Sequence, residues 1–238
     1  MNVQRYAKVA GVLLLVSIVA GGFGEAYAPS KVIVAGDAVA TVTHIRSFEF
    51  IYRLGFAAFL IESFADITLA LIFYALLKPV SKELSLLGAF FGLMATALFA
   101  FAELFYLAPT LFMTDSPWKG LSTDQIDQLI LLSLRFYQFA AMIFSGYYGI
   151  AWIVRAYLIF RSGYLPKFLG VLMGIGGIGF LVRNFLLILA PSYASPLLLM
   201  LLFPGALVLM VWLLVKGVDM PQWNLRVNAR AESSSEIR

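Results

Sequence analysis

Apolar residues in this chain run together in long blocks separated by short polar breaks, without the alternation of a half-buried strand. Six blocks reach the roughly 20 residues needed to cross about 30 Å of hydrocarbon. They are about Ala7–Tyr27, Phe50–Leu77, Leu84–Pro109, Leu129–Phe160, Leu165–Ala190 and Leu197–Val215. The pattern predicts an all-α, polytopic membrane protein with six transmembrane helices. Arg5 and Lys8 precede the first block, which ends in Ala26-Tyr27-Ala28 like a secretory signal, but Pro29 after that triplet disfavours cleavage. The first block is therefore expected to remain as a helix.

The breaks differ in length. Lys78–Glu83 and Arg161–Tyr164 are short turns with Pro79 within the one and Pro166 just beyond the other. Pro29–Glu49 is longer: Val32–Ala35 is apolar, Gly36 and Asp37 follow, and an alternating run leads to His44. Thr110–Gln128 carries Pro117-Trp118-Lys119-Gly120 and then Ser122-Thr123-Asp124-Gln125, a capping box that would start the fourth helix before the membrane surface. The two long breaks fit a lid on one face. After Val218 the apolar pattern stops, so residues 1–217 are expected to form one six-helix domain and 218–238 a short disordered tail.

Charge sets the orientation. With the N-terminus inside, the inner set is Arg5, Lys8, Lys78, Lys82, Arg155, Arg161, Lys167, Lys216, Arg226, Arg230 and Arg238, against Lys31, Arg46 and Lys119 in the outer set. Cytoplasmic loops carry the basic excess, so both termini are expected in the cytoplasm. The net charge of +4 then reflects topology and not nucleic-acid binding. Overall, 62% of the 238 residues are hydrophobic and 13% charged, against about 45–50% and about 25% in soluble domains; a soluble globule is excluded. Cysteine is absent and His44 is the only histidine. Disulfides, thiolate metal sites, cysteine nucleophiles and imidazole clusters are thereby ruled out, and no metal or cofactor is expected.

Ionisable residues inside the blocks are the candidates for chemistry: Glu25, Glu62, Asp66, Glu103, Arg135 and Arg183, with Gln138 and Asn184 beside them. Counted at about 1.5 Å per residue from the inner helix ends, Asp66 falls near the midplane and the others in the outer half. The inner half is expected to contain only glycines, aliphatics and aromatics. Facing lipid, each central charge would cost roughly 2.5–3.5 kcal/mol, so the groups should face one another or water. Glu62 and Asp66 are four apart and share a helix face, and one of the pair is a candidate to hold a proton near neutral pH. Arg53, nine residues before Glu62, is placed at the surface. These residues predict a charged cavity in the outer half, suited to a proton, a cation, or a zwitterionic or amine ligand. Gly88/Gly92, Gly170/Gly174 and the ridge Ala141, Ser145, Gly149 predict close helix packing.

Several stretches carry a resemblance. Arg53-Leu54-Gly55, Asp66, the run from Tyr74 to Val80, the run from Tyr157 to Pro166, Leu169–Leu172 and the first helix ending at Glu25 together resemble a bacterial multi-pass family catalogued as domain of unknown function 4386. The resemblance extends from about Ala7 to Val215. It implies a bacterial cytoplasmic-membrane protein with one helical domain, and no reaction, cofactor or substrate. It also implies an arginine where this chain has Gly92, which leaves open what balances Asp66 here.

The leading expectation is a protein that binds or transports a small polar or amphiphilic ligand, with proton linkage. An intramembrane enzyme acting on a lipid-linked substrate is the alternative, in which Glu62 and Asp66 serve as acid and base and Arg135 and Arg183 hold phosphate. No catalytic residue set supports it. A structural or sensory protein with ion pairs alone is the third class. The expected partners are the lipid bilayer and a small-molecule or lipid ligand.

Overall fold

The computed structural model describes residues 3–113 and 120–235, and these are helical almost throughout. Six helical stretches are long and apolar enough to cross a membrane: Val3–Val32, Glu49–Leu77, Lys82–Phe112, Thr123–Ser162, Lys167–Leu189 and Leu197–Val215. The six expected spans are all present. Pro117, Trp118 and Lys119 lie outside the described residues, as do the last three of the tail.

The first span is longer than expected and interrupted. Helix α1 (Val3–Gly21) opens into a π segment, Gly22–Tyr27, and closes again as α2 (Ala28–Val32). Across the π segment the Ala28 amide donates to the Phe23 carbonyl, five residues back. Pro29 sits at the start of α2, where a missing N–H is tolerated. The proline therefore does not end the span at Tyr27.

Contacts divide the chain into two compact units. One comprises Val16–Phe64 and Thr96–Ile143. It contains the second half of α1, the π segment, α2, α3 (Ala38–Ser47) and the start of α4 (Glu49–Leu77). It also holds the end of α5 (Lys82–Leu107), the short α6 (Pro109–Phe112) and the start of α7 (Thr123–Ser162). The alternating run before His44 is not extended: it folds as α3, whose buried face is Ala38, Thr41, Val42 and Ile45. Asp37 caps it by accepting from the Ala40 amide, and the buried Thr41 hydroxyl bonds back to Val34. The π segment packs directly on α4, since a side chain on Gly24 would meet the Gly55 carbonyl at 2.9 Å. The capping box forms as expected, with the Ser122 amide donating to Gln125 Oε1 at 2.8 Å and the Gln125 amide to Ser122 Oγ at 3.3 Å. It starts a helix of 40 residues, about 60 Å, well beyond one crossing.

The other unit comprises residues 1–15, Ala65–Ala95 and Phe144–Arg238. Here α7 packs on α8 (Lys167–Leu189) through backbone-to-backbone approaches: a side chain on Gly149 would lie 2.9 Å from the Gly177 carbonyl, and one on Gly170 2.6 Å from that of Ala156. Gly176, Gly179 and Gly205 do the same between α8 and the last span, α9 (Leu197–Met200) with α10 (Leu202–Val215). The glycines of α8 are thus packing sites within an unbroken helix. The Tyr164 hydroxyl donates to the Leu76 carbonyl at 2.6 Å, and burial pushes its pKa up. Gln4 joins the chain ends, donating to the Lys216 carbonyl and accepting from the Val218 amide.

The tail expected to be disordered is helical, as α11 (Met220–Ser235). Trp223, Arg226, Val227 and Arg230, at helical spacing, form its less exposed face. Arg230 donates to the Lys78 carbonyl and its guanidinium lies 3.9 Å from Glu83, which holds α11 against the turn between α4 and α5.

Candidate functional site

In the unit built from residues 16–64 and 96–143, the buried stripe of α5 runs Phe99, Ala102, Glu103, Tyr106. Spacing of three and four puts these on one face, so a carboxylate falls in an apolar seam. Glu103 is 3% exposed. The facing stripe of α7, Ile130, Ser133, Leu134 and Tyr137, brings the Tyr137 hydroxyl to hydrogen-bond Glu103. From α4 the fully buried Tyr52 stacks on Tyr106 with ring centroids 4.5 Å apart, and Tyr106 lies 5.2 Å from Tyr137. The Tyr106 hydroxyl reaches the Tyr52 carbonyl at 3.5 Å, and the buried Tyr52 hydroxyl has no hydrogen-bond partner among the described residues.

Glu103 therefore sits among three phenols, with Glu25 of the π segment as its charged neighbour. Among the described residues no basic side chain forms an ion pair with it. A buried carboxylate without an opposite charge is costly, by several kcal/mol for an ion. The arrangement calls for a positive counter-charge, of which a proton is the smallest. Glu25 itself is exposed. The pair thus joins a surface acid to an interior one.

The other expected residues of this unit take different positions. Glu62 is half-buried against α1, where a side chain on Gly21 would lie 2.5 Å from Glu62 Oε1. Arg135 and Gln138 are on the exposed side of α7. Arg53 pairs with Glu49 one turn earlier, at 2.8 Å on the surface, and joins none of the acids discussed. Asp127, buried near the start of α7 and electrostatically coupled to Arg46 of α3, was not among the expected residues.

Asp66, Arg183 and Asn184 belong to the other unit. Asn184 is buried, with its amide 3.4 Å from Ser145 Oγ, and Arg183 is half-buried. Asp66 has a partner that charge counting misplaced. Arg155, counted among the loop bases, lies inside α7 at 7% exposure. Its guanidinium sits 5.3 Å from the Phe73 ring centroid, and Nη2 is 3.5 Å from the Gly88 carbonyl. Electrostatically it is coupled to Asp66. It fills the space above Gly92, where any side chain would collide with Nη2. The expectation of a segment free of ionisable groups fails at this residue. Removing Arg155 from the loop count leaves ten bases against three. The signal was present in the spacing: Trp152, Arg155, Ala156 and Ile159 form one buried stripe.

Comparison with known proteins gives similarity without an activity. An uncharacterised protein of Archaeoglobus fulgidus is 28% identical over 152 residues, covering 64% of this chain and 76% of its own length. No solved structure matches the chain. The model of the family described as "Domain of unknown function (DUF4386)" matches residues 9–217, through all six membrane-length helices, and the chain belongs to that family.

Proposed function

We propose that this chain is a multi-pass protein of the bacterial cytoplasmic membrane, with both termini in the cytoplasm, that binds or transports a small cationic or zwitterionic ligand in exchange with protons at Glu103. The observation that carries the reading is the burial of Glu103 beneath Tyr137, Tyr106 and Tyr52, with Glu25 as its charged neighbour. A cation lying on the tyrosine rings gains from their quadrupoles, by about 2 kcal/mol or more when desolvated, and neutralises the carboxylate. A proton does the second without the first, so the two compete for one site. Glu25, on the exposed side of the π turn, is the point of entry. Single π turns are frequent at functional sites.

The test uses purified protein in vesicles with a trapped pH dye and a gradient of tetramethylammonium, which has no neutral form. Proton movement opposite to the cation is expected with the natural chain and with Arg135→Gln, and its loss with Glu103→Gln. Equal signals from the natural chain and Glu103→Gln would refute the assignment. Asp66 lies in the other unit, where its charge acts on the buried Arg155, and it is read here as a structural residue.

A further inference from the structure

The second charged feature of the molecule is a groove, and it is independent of Glu103. Helix α11 lies against the turn between α4 and α5 and leaves a cavity of about 420 Å³. Tyr74, Lys78, Lys82, Trp223, Val227 and Arg230 line it. Every charged residue in the lining is basic. Glu83 is the acid nearby, 3.9 Å from Arg230, and its side chain is largely exposed. Three cations and two aromatic rings are thus set around one space.

We propose that this groove binds the phosphate of an anionic lipid headgroup. A phosphate offers acceptor oxygens to Lys78, Lys82 and Arg230 together. The position favours lipid over a free anion. Lys78 directly follows α4 and Lys82 begins α5, both membrane-length helices, so the groove lies where headgroups lie. Val227 and the ring of Tyr74 supply the apolar part of the wall against which the glycerol and upper acyl region fit. The bound lipid would also hold α11 in place, since Trp223 and Arg230 both belong to it.

The experiment is native mass spectrometry of the full chain taken from nanodiscs containing equal amounts of phosphatidylglycerol and phosphatidylcholine. A retained phosphatidylglycerol adduct is expected, with phosphatidylcholine not retained. Each basic group near a membrane surface contributes about 1 kcal/mol to attraction for anionic lipid. Lys78→Gln with Lys82→Gln should therefore weaken retention about thirtyfold. Arg230→Gln removes the third cation and should weaken it about fivefold, read beside a proteolysis assay that reports whether α11 stays docked. Equal retention of the two lipids, or retention unchanged in both variants, would overturn the proposal. A third arm adds inorganic phosphate: if millimolar phosphate displaces the lipid, the groove is a free-phosphate site and the lipid assignment fails.

Discussion

Gly92→Ala separates two opposing effects of known size. Replacing a glycine inside a helix by alanine gains about 1 kcal/mol of backbone entropy and propensity. At Gly92 a new Cβ has room on one side, with Ala70 Cβ at 3.9 Å, but on the other it collides with Arg155 Nη2. That guanidinium is held by the Phe73 ring, the Gly88 carbonyl and the charge of Asp66. Pushing it aside weakens the bond to the Gly88 carbonyl and the contact with the Phe73 ring, and a hydrogen bond made by a buried charged group is worth about 1.5–3 kcal/mol. The net expectation is a loss of about 0.5–2 kcal/mol, a shift of up to about thirtyfold in the unfolding equilibrium. Equilibrium unfolding in mixed micelles of mild and denaturing detergent, followed by far-UV circular dichroism, measures it. The sign should reverse in an Arg155→Leu background, where Gly92→Ala is expected to stabilise by up to about 1 kcal/mol. If Gly92→Ala stabilises the natural chain, or has the same effect in both backgrounds, the guanidinium is not what the glycine accommodates.

Asp66→Asn removes a negative charge that acts on the buried Arg155 and should cost about 1–2 kcal/mol in the same assay. An unchanged stability would show that the two charges do not support each other. Gly24→Val would bring a branched side chain onto the Gly55 carbonyl, 2.9 Å from the first added carbon, and should lower the melting temperature measurably as overpacking by about 1–3 kcal/mol or more. Tyr164→Phe removes the donor to the Leu76 carbonyl near the end of α4, at about 1–3 kcal/mol. Because burial raises the Tyr164 pKa, its contribution is fully present below the unfolded value of about 10 and is lost as pH rises beyond it. Stability titrated from neutral to alkaline pH should therefore fall less steeply in the Phe variant. Ser122→Ala should cost about 1 kcal/mol, read as faster amide exchange confined to the first turns of α7.

How far the sequence could be read differs by residue. Glu25 and Glu103 were found as charges in apolar blocks, and the structure couples them. Arg135 and Gln138 were found by the same rule, yet they face outward on α7. An uninterrupted apolar block hides which side of its helix is buried, because lipid-facing and core-facing residues are equally hydrophobic. Tyr52, Tyr106 and Tyr137 were indistinguishable from the many other aromatics until three helices brought them to one carboxylate. Arg155 was assigned to a loop because it lies near the end of its block, and the π segment left no mark beyond Gly22 and Gly24. The helix of the tail was masked by polar composition, although Trp223, Arg226, Val227 and Arg230 have its spacing.

By itself the sequence determined that six helices are long and apolar enough to cross a membrane and where most of them end, but not the π segment, α3 or α11. Hydrophobic length and capping act locally, so the chain carries them in plain order. Only the tertiary structure decided the partners of the charges: Glu103 with three tyrosines and Glu25, Asp66 with Arg155 above a vacant Gly92 position, and Lys78 and Lys82 with α11. Such pairings depend on helix rotation, which is set by close approaches such as Gly24 to Gly55 and Gly149 to Gly177. Those approaches join residues far apart in the chain, and no local pattern encodes them.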